Sequence, residues 1–187
     1  MLQARYPKEV VLTDHTEVTL RPLKEKDQED LVRFYEDVPR KERWFFKEDP
    51  CDPLVIPKWI EAVQTKRALG VVAVHEDRIV AHASLLCRGY GGRRHVGRLR
   101  ISVSPDFRGK RLGTWMVFDL IRRSMELGLD KIQADFIVGV EDRAIEALER
   151  LDFVKQGRIR DYVKDEDGAD HDCQIMIKHL HTEWSDF

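Results

Sequence analysis

Residues Val103-Ser104-Pro105-Asp106-Phe107-Arg108-Gly109-Lys110-Arg111-Leu112-Gly113-Thr114 decide how this chain folds and what it holds. The run before them, Val96 to Val103, alternates: Leu99, Ile101 and Val103 point one way, and Arg98, Arg100 and Ser102 the other. That is a half-buried strand. Ser104-Pro105 ends it, a short basic loop follows, and a helix begins near Leu112 and runs to Leu127, where Gly128 stops it. A strand that turns straight into a helix presents the helix's unpaired N–H groups, and the positive end of its dipole, at the turn. Such a place suits an anion. Gly109 and Gly113 remove side chains where backbone must approach a ligand, and Arg108, Lys110 and Arg111 add positive charge. Together they suit a diphosphate. The chain has no G-x-x-x-x-G-K-S/T and no G-x-G-x-x-G in an early β-α-β unit, so neither a P-loop nor a Rossmann site is expected.

Periodicity supplies the rest of the frame. Along the helix after Leu112, the charged residues Asp119, Arg122, Arg123 and Glu126 define one solvated stripe. Trp115, Met116, Val117, Phe118, Leu120, Ile121 and Met125 cover what remains, which predicts a mostly buried helix. Upstream, Glu17 to Arg21 reads as a strand ended by Pro22. Asp27 offers an N-cap to a helix bearing Leu31, Phe34, Tyr35 and Val38. Pro57 suits the first turn of a second helix, with Trp59, Ile60 and Val63. Gly70 to His75 and Ile79 to Leu86, joined by Glu76-Asp77-Arg78, read as a hairpin. Downstream, Ile132, Ala134, Phe136 and Val138 alternate in a strand. Ala144, Ala147, Leu148 and Leu151 mark a helix with Glu141 and Asp142 at its dipole-favoured start. Two last strands, near Val154 to Val163 and Asp172 to Lys178, flank a polar turn. The order β-α-α-β-β-β-α-β-α-β-β predicts an α/β (α+β mixed) fold, a central mixed sheet of about seven strands flanked by about four helices. No linker or repeat divides residues 1–187, so a single domain is expected.

Composition narrows the function classes. Apolar residues make up 42% and charged residues 35% of the 187, enough for one packed core under a wet surface. The net charge of −2 gives no bulk attraction to nucleic acid or membrane, and no apolar run is long enough to span a bilayer. Cys51, Cys87 and Cys173 are odd in number and widely spaced, which excludes a zinc-like cluster and fits inert thiols in a reducing cytoplasm. No metal site is expected.

The stretch Ile101 to Gly113 resembles the acetyl-CoA signature of general N-acetyltransferase (GNAT) enzymes, an apolar-x-V-x-P-x-Y/F-R/Q-G-x-G-I/L-G/A run. It departs at Arg111, where the family usually has glycine. Arg143 to Phe153 resembles the family's A-I-x-x-Y-x-x-x-G-F helix, and the element order is similar across nearly the whole chain. The opening Thr19-Leu20-Arg21-Pro22-Leu23, Asp27 and Phe34-Tyr35 are also typical. A narrower likeness is to the catalytic domains of bacterial protein lysine acetyltransferases. The resemblance implies acetyl-CoA as donor and an amine as acceptor, attacking the thioester directly. It implies that the backbone of Ile101, Ser102 and Val103 pairs with the pantetheine arm, with the Val103 N–H polarising the thioester carbonyl. It further implies that Arg108, Gly109, Lys110, Arg111, Leu112, Gly113 and Thr114 cradle the pyrophosphate. A homodimer is compatible with the chain.

Two catalytic groups of the family are missing. Leu148 stands where many members carry the tyrosine that protonates the departing thiolate, and Val96 to Val103 holds no carboxylate to serve as base. An ammonium near pKa 10.4 must still lose a proton before it can attack. The replacements considered are Asp135 as base, His82 acting through a water, and Tyr162 as acid, each with a plain structural alternative. Glu141, in place of a usual asparagine, is a candidate cofactor contact. Asp161, Asp165, Glu166, Asp167, Asp170 and Asp172 crowd the last hairpin, and Trp44, Phe45 and Phe46 follow the first helix. The resemblance puts both groups at the acceptor mouth. Two other classes compete: an acyl-CoA-binding regulatory module without turnover, and a nucleic-acid binder using Arg88, Arg93, Arg94, Arg98 and Arg100.

Overall fold

A computed structural model describes residues 6–180. Eight strands form one sheet: β1 (Lys8–Val11), β2 (Glu17–Pro22), β3 (Ala68–His75), β4 (Arg78–Leu86), β5 (Val96–Val103), β6 (Lys131–Ile137), β7 (Val154–Lys164) and β8 (Asp170–His179). They lie in the order β1-β2-β3-β4-β5-β6-β8-β7. Neighbours are antiparallel except β5 and β6, which are parallel. Five α-helices accompany them: α1 (Gln28–Glu36), α2 (Arg40–Arg43), α3 (Val55–Gln64), α4 (Leu112–Glu126) and α5 (Asp142–Glu149). The mixed α/β architecture is as expected, with one strand and one helix more. Both additions are four residues long, too short for periodicity to show.

Each face of the sheet has its own core. On one, Leu31, Phe34 and Tyr35 of α1 and Ile56 and Ile60 of α3 pack on Val72 and Ile79. On the other, Leu112, Met116, Val117 and Leu120 of α4, with Ile145 and Leu148 of α5, pack on Leu20, Val71, Ala83, Leu99 and Ile132. The β3–β4 turn, Glu76-Asp77, has φ of 46° and 61°, the doubly left-handed form that matches strand twist in a two-residue hairpin.

The solvated stripe expected on α4 is rotated. Asp119 is only 3% exposed, and its carboxylate accepts hydrogen bonds from Tyr6 and Lys8. Trp115 and Phe118, expected inside, are 46% and 55% exposed. Polar partners at Tyr6 and at Lys8 of β1 bring Asp119 inward and so turn the two aromatics out.

Asp27 precedes α1 as expected but does not cap it with its side chain. Its carboxylate turns back to Arg21, at 2.6 and 2.9 Å, and to the Lys24 N–H at 2.8 Å. This buried fork ties the entry of α1 to β2. Burial alone would raise the Asp27 carboxyl, but the Arg21 and Lys24 hydrogen bonds outweigh it and hold the group below its ordinary value. The stabilisation therefore stands above about pH 4 and is lost as pH falls through the depressed value. Asp27→Asn should lower unfolding free energy by about 2–3 kcal/mol at neutral pH and flatten the acid limb of a urea-denaturation pH series. An unchanged acid limb would show that the fork carries no linkage.

Candidate active site

The site begins where two strands part. β5 and β6 pair only over Val96–Arg98 and Lys131–Gln133. Beyond that, β5 stays paired with β4 up to Val103, and β6 stays paired with β8 up to Ile137. The Ser104 N–H donates to the Val80 carbonyl at 2.9 Å, in register with the β4–β5 ladder. Backbone groups alternate along an antiparallel strand, so Ser102, Arg100 and Arg98 also face β4. Leu99, Ile101 and Val103 face the β6 side. The Lys131 N–H, donating to the His95 carbonyl at 3.2 Å, has the same parity. Past Gln133 no ladder meets Ile101 and Val103. The result is a cleft edged by strand backbone that has polar groups to offer.

Above the cleft, the basic loop delivers the chain into α4. Gly109 and Arg111 both have left-handed φ, 72° and 67°. Arg111 is the residue before the helix and makes no side-chain cap. The first intrahelical bond runs from the Trp115 N–H to the Arg111 carbonyl at 3.1 Å, which leaves the N–H groups of Leu112, Gly113 and Thr114 without intrahelical acceptors. A carbon added at Gly113 would lie 3.5 Å from Ile101 Cδ1 and 3.7 Å from Val103 Cγ2. These are ordinary van der Waals distances, so the missing side chain would face the strand, in contact with it, and not the anion position expected from sequence. Two of the three loop cations already hold carboxylates. Lys110 pairs with Asp14 at 2.7 Å. Arg108 donates to the Val103 carbonyl at 2.8 Å and grips Glu42 of α2 with two bonds, of 3.0 and 2.6 Å.

The face under α1 and α3 carries a second polar field. Lys47 and Arg98 both reach Asp135 Oδ2, at 3.1 and 2.6 Å, and the Gln133 amide donates to Oδ1 at 2.7 Å. Glu48 Oε2 accepts from Trp59 Nε1 and from Arg100, each at 3.0 Å. The expected meeting of the aromatic segment with the last hairpin is present. Trp44 Nε1 donates to the Lys164 carbonyl at 2.8 Å, Phe45 meets the His171 ring edge-on at 5.6 Å, and Arg40 pairs with Glu166 at 2.8 Å. Part of the acidic crowd there is held from within: Asp170 pairs with Lys164 and Asp172 with Arg158, and Asp165 is hydrogen-bonded to the His171 ring. Arg98 and Arg100, two members of the basic set considered for nucleic acid, are likewise ion-paired.

The proton-transfer candidates fare differently. Burial would raise the Asp135 carboxyl, but Gln133, Lys47 and Arg98 together hold it below its ordinary value, which makes it a poor base. Tyr162 lies in the bulge between Ile159 and Val163 on edge strand β7 and is 63% exposed. β8 stands between it and β6, so the cleft is at least two strand spacings away, roughly 10 Å. His82 is buried, with Nδ1 2.8 Å from the Tyr35 hydroxyl and no partner for Nε2. Burial, helped by Arg100, pushes it down to about 4, so its ring is neutral at physiological pH. Leu148 is buried in the α4–α5 core. Glu141 accepts the Ile137 N–H at 2.7 Å, and burial raises its carboxyl. The sequence reading missed Glu42 and Glu48, because their partners Arg108 and Arg100 lie 66 and 52 residues away. Among the described residues no His, Cys, Asp or Glu cluster could hold a metal, and no helix is long and apolar enough to cross a membrane. All three cysteines are free.

The site is thus a parted parallel strand pair beneath an uncapped helix start. The sequence profile of the Acetyltransferase (GNAT) family matches residues 25–153, and the chain belongs to that family of acetyl-CoA-dependent N-acyltransferases. Solved structures agree in fold. An N-acetyltransferase from Staphylococcus aureus Mu50 superimposes with a TM-score of 0.76 at 16% identity, covering 88% of this chain and 99% of that one. A GNAT-family acetyltransferase from Streptococcus pneumoniae gives 0.77 at 19%, covering 87% and 99%. The ribosomal-protein-alanine N-acetyltransferase from Brucella melitensis gives 0.75 at 23%, covering 86% and 99%. A comparison with functionally curated proteins gave no significant match. The narrower likeness to lysine acetyltransferases gains no specific support.

Arg111 holds a left-handed conformation that costs a non-glycine residue about 1 kcal/mol. Arg111→Gly should therefore leave stability unchanged or raise it by up to about 1 kcal/mol, whereas Gly109→Val should lower it by about 1–2 kcal/mol. Thermal melts of both variants check this, and a strongly destabilised Arg111→Gly would show that its side chain, not its backbone, supports the loop.

Proposed function

We propose that this enzyme binds acetyl-CoA in the β5–β6 cleft and passes the acetyl group to a primary amine that enters from the α1–α3 face. The observation carrying this reading is the pairing of two binding features in one place. Ile101 and the Val103 N–H offer unpaired strand backbone, and Leu112 to Thr114 offer unpaired helix N–H groups immediately above it. The first suits the amides of a pantetheine arm by strand-like pairing. The second, with Gly109, Lys110, Arg111 and the backbone at Arg108, suits a pyrophosphate. Ser102 lies between them and turns its side chain to the acceptor face. When bound, acetyl-CoA supplies the activated thioester, and the Val103 N–H is placed to polarise its carbonyl.

This chain's part in proton transfer is small. Asp135 is held by two cations, and Tyr162 stands outside the cleft. The amine therefore loses its proton to water, ahead of attack, on a face where Asp135 and Glu48 are both committed to ion pairs. A thiol is only weakly basic as a leaving group, so no dedicated acid is required.

Three results test the reading. Acetyl-CoA should raise the melting temperature by mass action. Amines from three classes (peptide N-termini, lysyl side chains and small-molecule primary amines) should be assayed for release of free CoA thiol. At least one class should give turnover, with kcat/KM rising from neutral pH toward the pKa of the amine. Tyr162→Phe should leave that profile within about twofold of wild type, and a tenfold or larger loss would restore it as the acid. Binding without turnover in any class would favour the regulatory-module reading.

A further inference from the structure

Tyr35 and His82 form a buried polar pair that no step described so far uses. They are 4% and 3% exposed, and the phenol oxygen lies 2.8 Å from the imidazole Nδ1. Rings hold both in place. Phe46 and Trp59 meet Tyr35 edge-on at 5.9 and 5.5 Å, and Trp59 stacks on His82 at 6.0 Å. The arrangement carries a cost, because His82 Nε2 has no hydrogen-bond partner. An apolar pair of similar volume would avoid it, so the hydroxyl and the ring serve something other than packing.

The pair leads to the reacting end of β5. His82 lies directly across from Ser102, and the parity of the ladder makes them a hydrogen-bonded pair, with both side chains on the face under α1. Ile101 and Val103 turn to the opposite face, against the α4 core. A hydrogen bond from Ser102 acts on Tyr35 in the sense that favours the charged phenol, which only a donor can do. Ser102 therefore gives its hydroxyl hydrogen to the Tyr35 oxygen. Tyr35 has one hydrogen of its own and gives it to Nδ1. The ring is neutral, since burial, helped by Arg100, holds it at about 4, so its single hydrogen sits on the unpartnered Nε2.

All the donors in this chain point inward, from Ser102 to Tyr35 to His82. The lone pairs left on Ser102 Oγ face outward, a few bonds from the Val103 N–H. Its neighbours on this face cannot offer the same. Lys47, Arg98, Arg100 and Trp59 only donate, and the carboxylates of Asp135 and Glu48 accept from them.

We infer that Ser102 Oγ orients the attacking amine: it accepts one amine N–H and so turns the nitrogen lone pair toward the thioester carbon whose oxygen rests on the Val103 N–H. Ser102 is then a catalytic residue, and Tyr35 and His82 are positioning residues that act through it. The inference rests on the transferase reading above and assigns the amine's seat within it. The lone pair forms the C–N bond, and the C–S bond breaks with its electron pair on sulfur. The surplus proton on nitrogen goes to water, and sulfur takes a proton from water. None travels along the chain, where His82 would have to hold a second proton. Ser102 contributes geometry, the part of a barrier that alignment removes.

Steady-state rates at saturating acetyl-CoA, with the panel amine that wild type acetylates fastest, test this. Ser102→Ala should lower kcat by about ten- to a hundredfold, while calorimetry shows acetyl-CoA affinity within about twofold of wild type. Ser102→Thr, which keeps the hydroxyl on a strand-compatible side chain, should recover most of that loss. Tyr35→Phe should lower kcat by about three- to tenfold alone but by less than about twofold in the Ser102→Ala background, because the two act as a unit. A wild-type kcat in Ser102→Ala would overturn the inference. So would a loss of acetyl-CoA affinity as large as the loss of rate, which would place Ser102 with the donor instead. Equal Tyr35→Phe losses in both backgrounds would remove Tyr35 and His82 from the account, and if Tyr35→Phe does not fold, the Ser102 variants decide alone. A wild type that binds acetyl-CoA and acetylates no panel amine would overturn the transferase reading, and this inference with it.

Discussion

The structure depends on the hydrogen bonds that β5 and β6 do not make to each other. Each strand has a committed neighbour on its far side, β4 for β5 and β8 for β6, so both can diverge without either becoming an orphan along its whole length. The cost falls on the backbone groups of Ile101 and the N–H of Val103, the Val103 carbonyl being held by Arg108. Unpaired backbone polar groups are expensive when dry and cheap when water or a ligand meets them. A cleft of this kind therefore persists only as a solvent-filled or ligand-filled place. The rest of the molecule keeps it open from both ends. The Arg108–Glu42 fork ties the basic loop to α2, and Glu141 anchors the start of α5 to the last residue of β6.

Charge follows the same plan. On the face under α1 and α3, Asp135 is shared between the cations Lys47 and Arg98 and Glu48 between Trp59 and Arg100, and those contacts join the α2–α3 segment to β5 and β6. Such half-exposed pairs add little stability singly, but they fix where that segment rests. They also remove from service the carboxylates that chemistry would otherwise use. Tyr35 and His82 complete a buried polar pair beneath them, and burial keeps the phenol protonated and the imidazole uncharged.

The sequence was legible where one element decides its own shape. Alternation located β5, the Glu76-Asp77 turn located the β3–β4 hairpin, and Gly128, with φ of 70°, marked the end of α4. It misled where a distant partner decides. Asp119 looks like surface until Tyr6 and Lys8, more than a hundred residues earlier, enclose it, and that pairing turns Trp115 and Phe118 outward. The same limit hid the partners of Glu42 and Glu48. Strand parting leaves no trace in hydrophobic period, because Leu99, Ile101 and Val103 alternate alike whether or not β6 meets them. Family resemblance carried that inference, and the short pairing of Val96–Arg98 with Lys131–Gln133 gives it a physical basis.

The most direct test is residue-resolved amide hydrogen exchange along β5, with and without saturating acetyl-CoA. The account predicts that the amides of Ile101 and Val103 exchange far faster than those of Arg100 and Ser102 in the free enzyme, and become strongly protected when acetyl-CoA binds. Uniformly slow exchange along β5 without ligand, or bound acetyl-CoA that leaves Ile101 and Val103 unprotected, would contradict it.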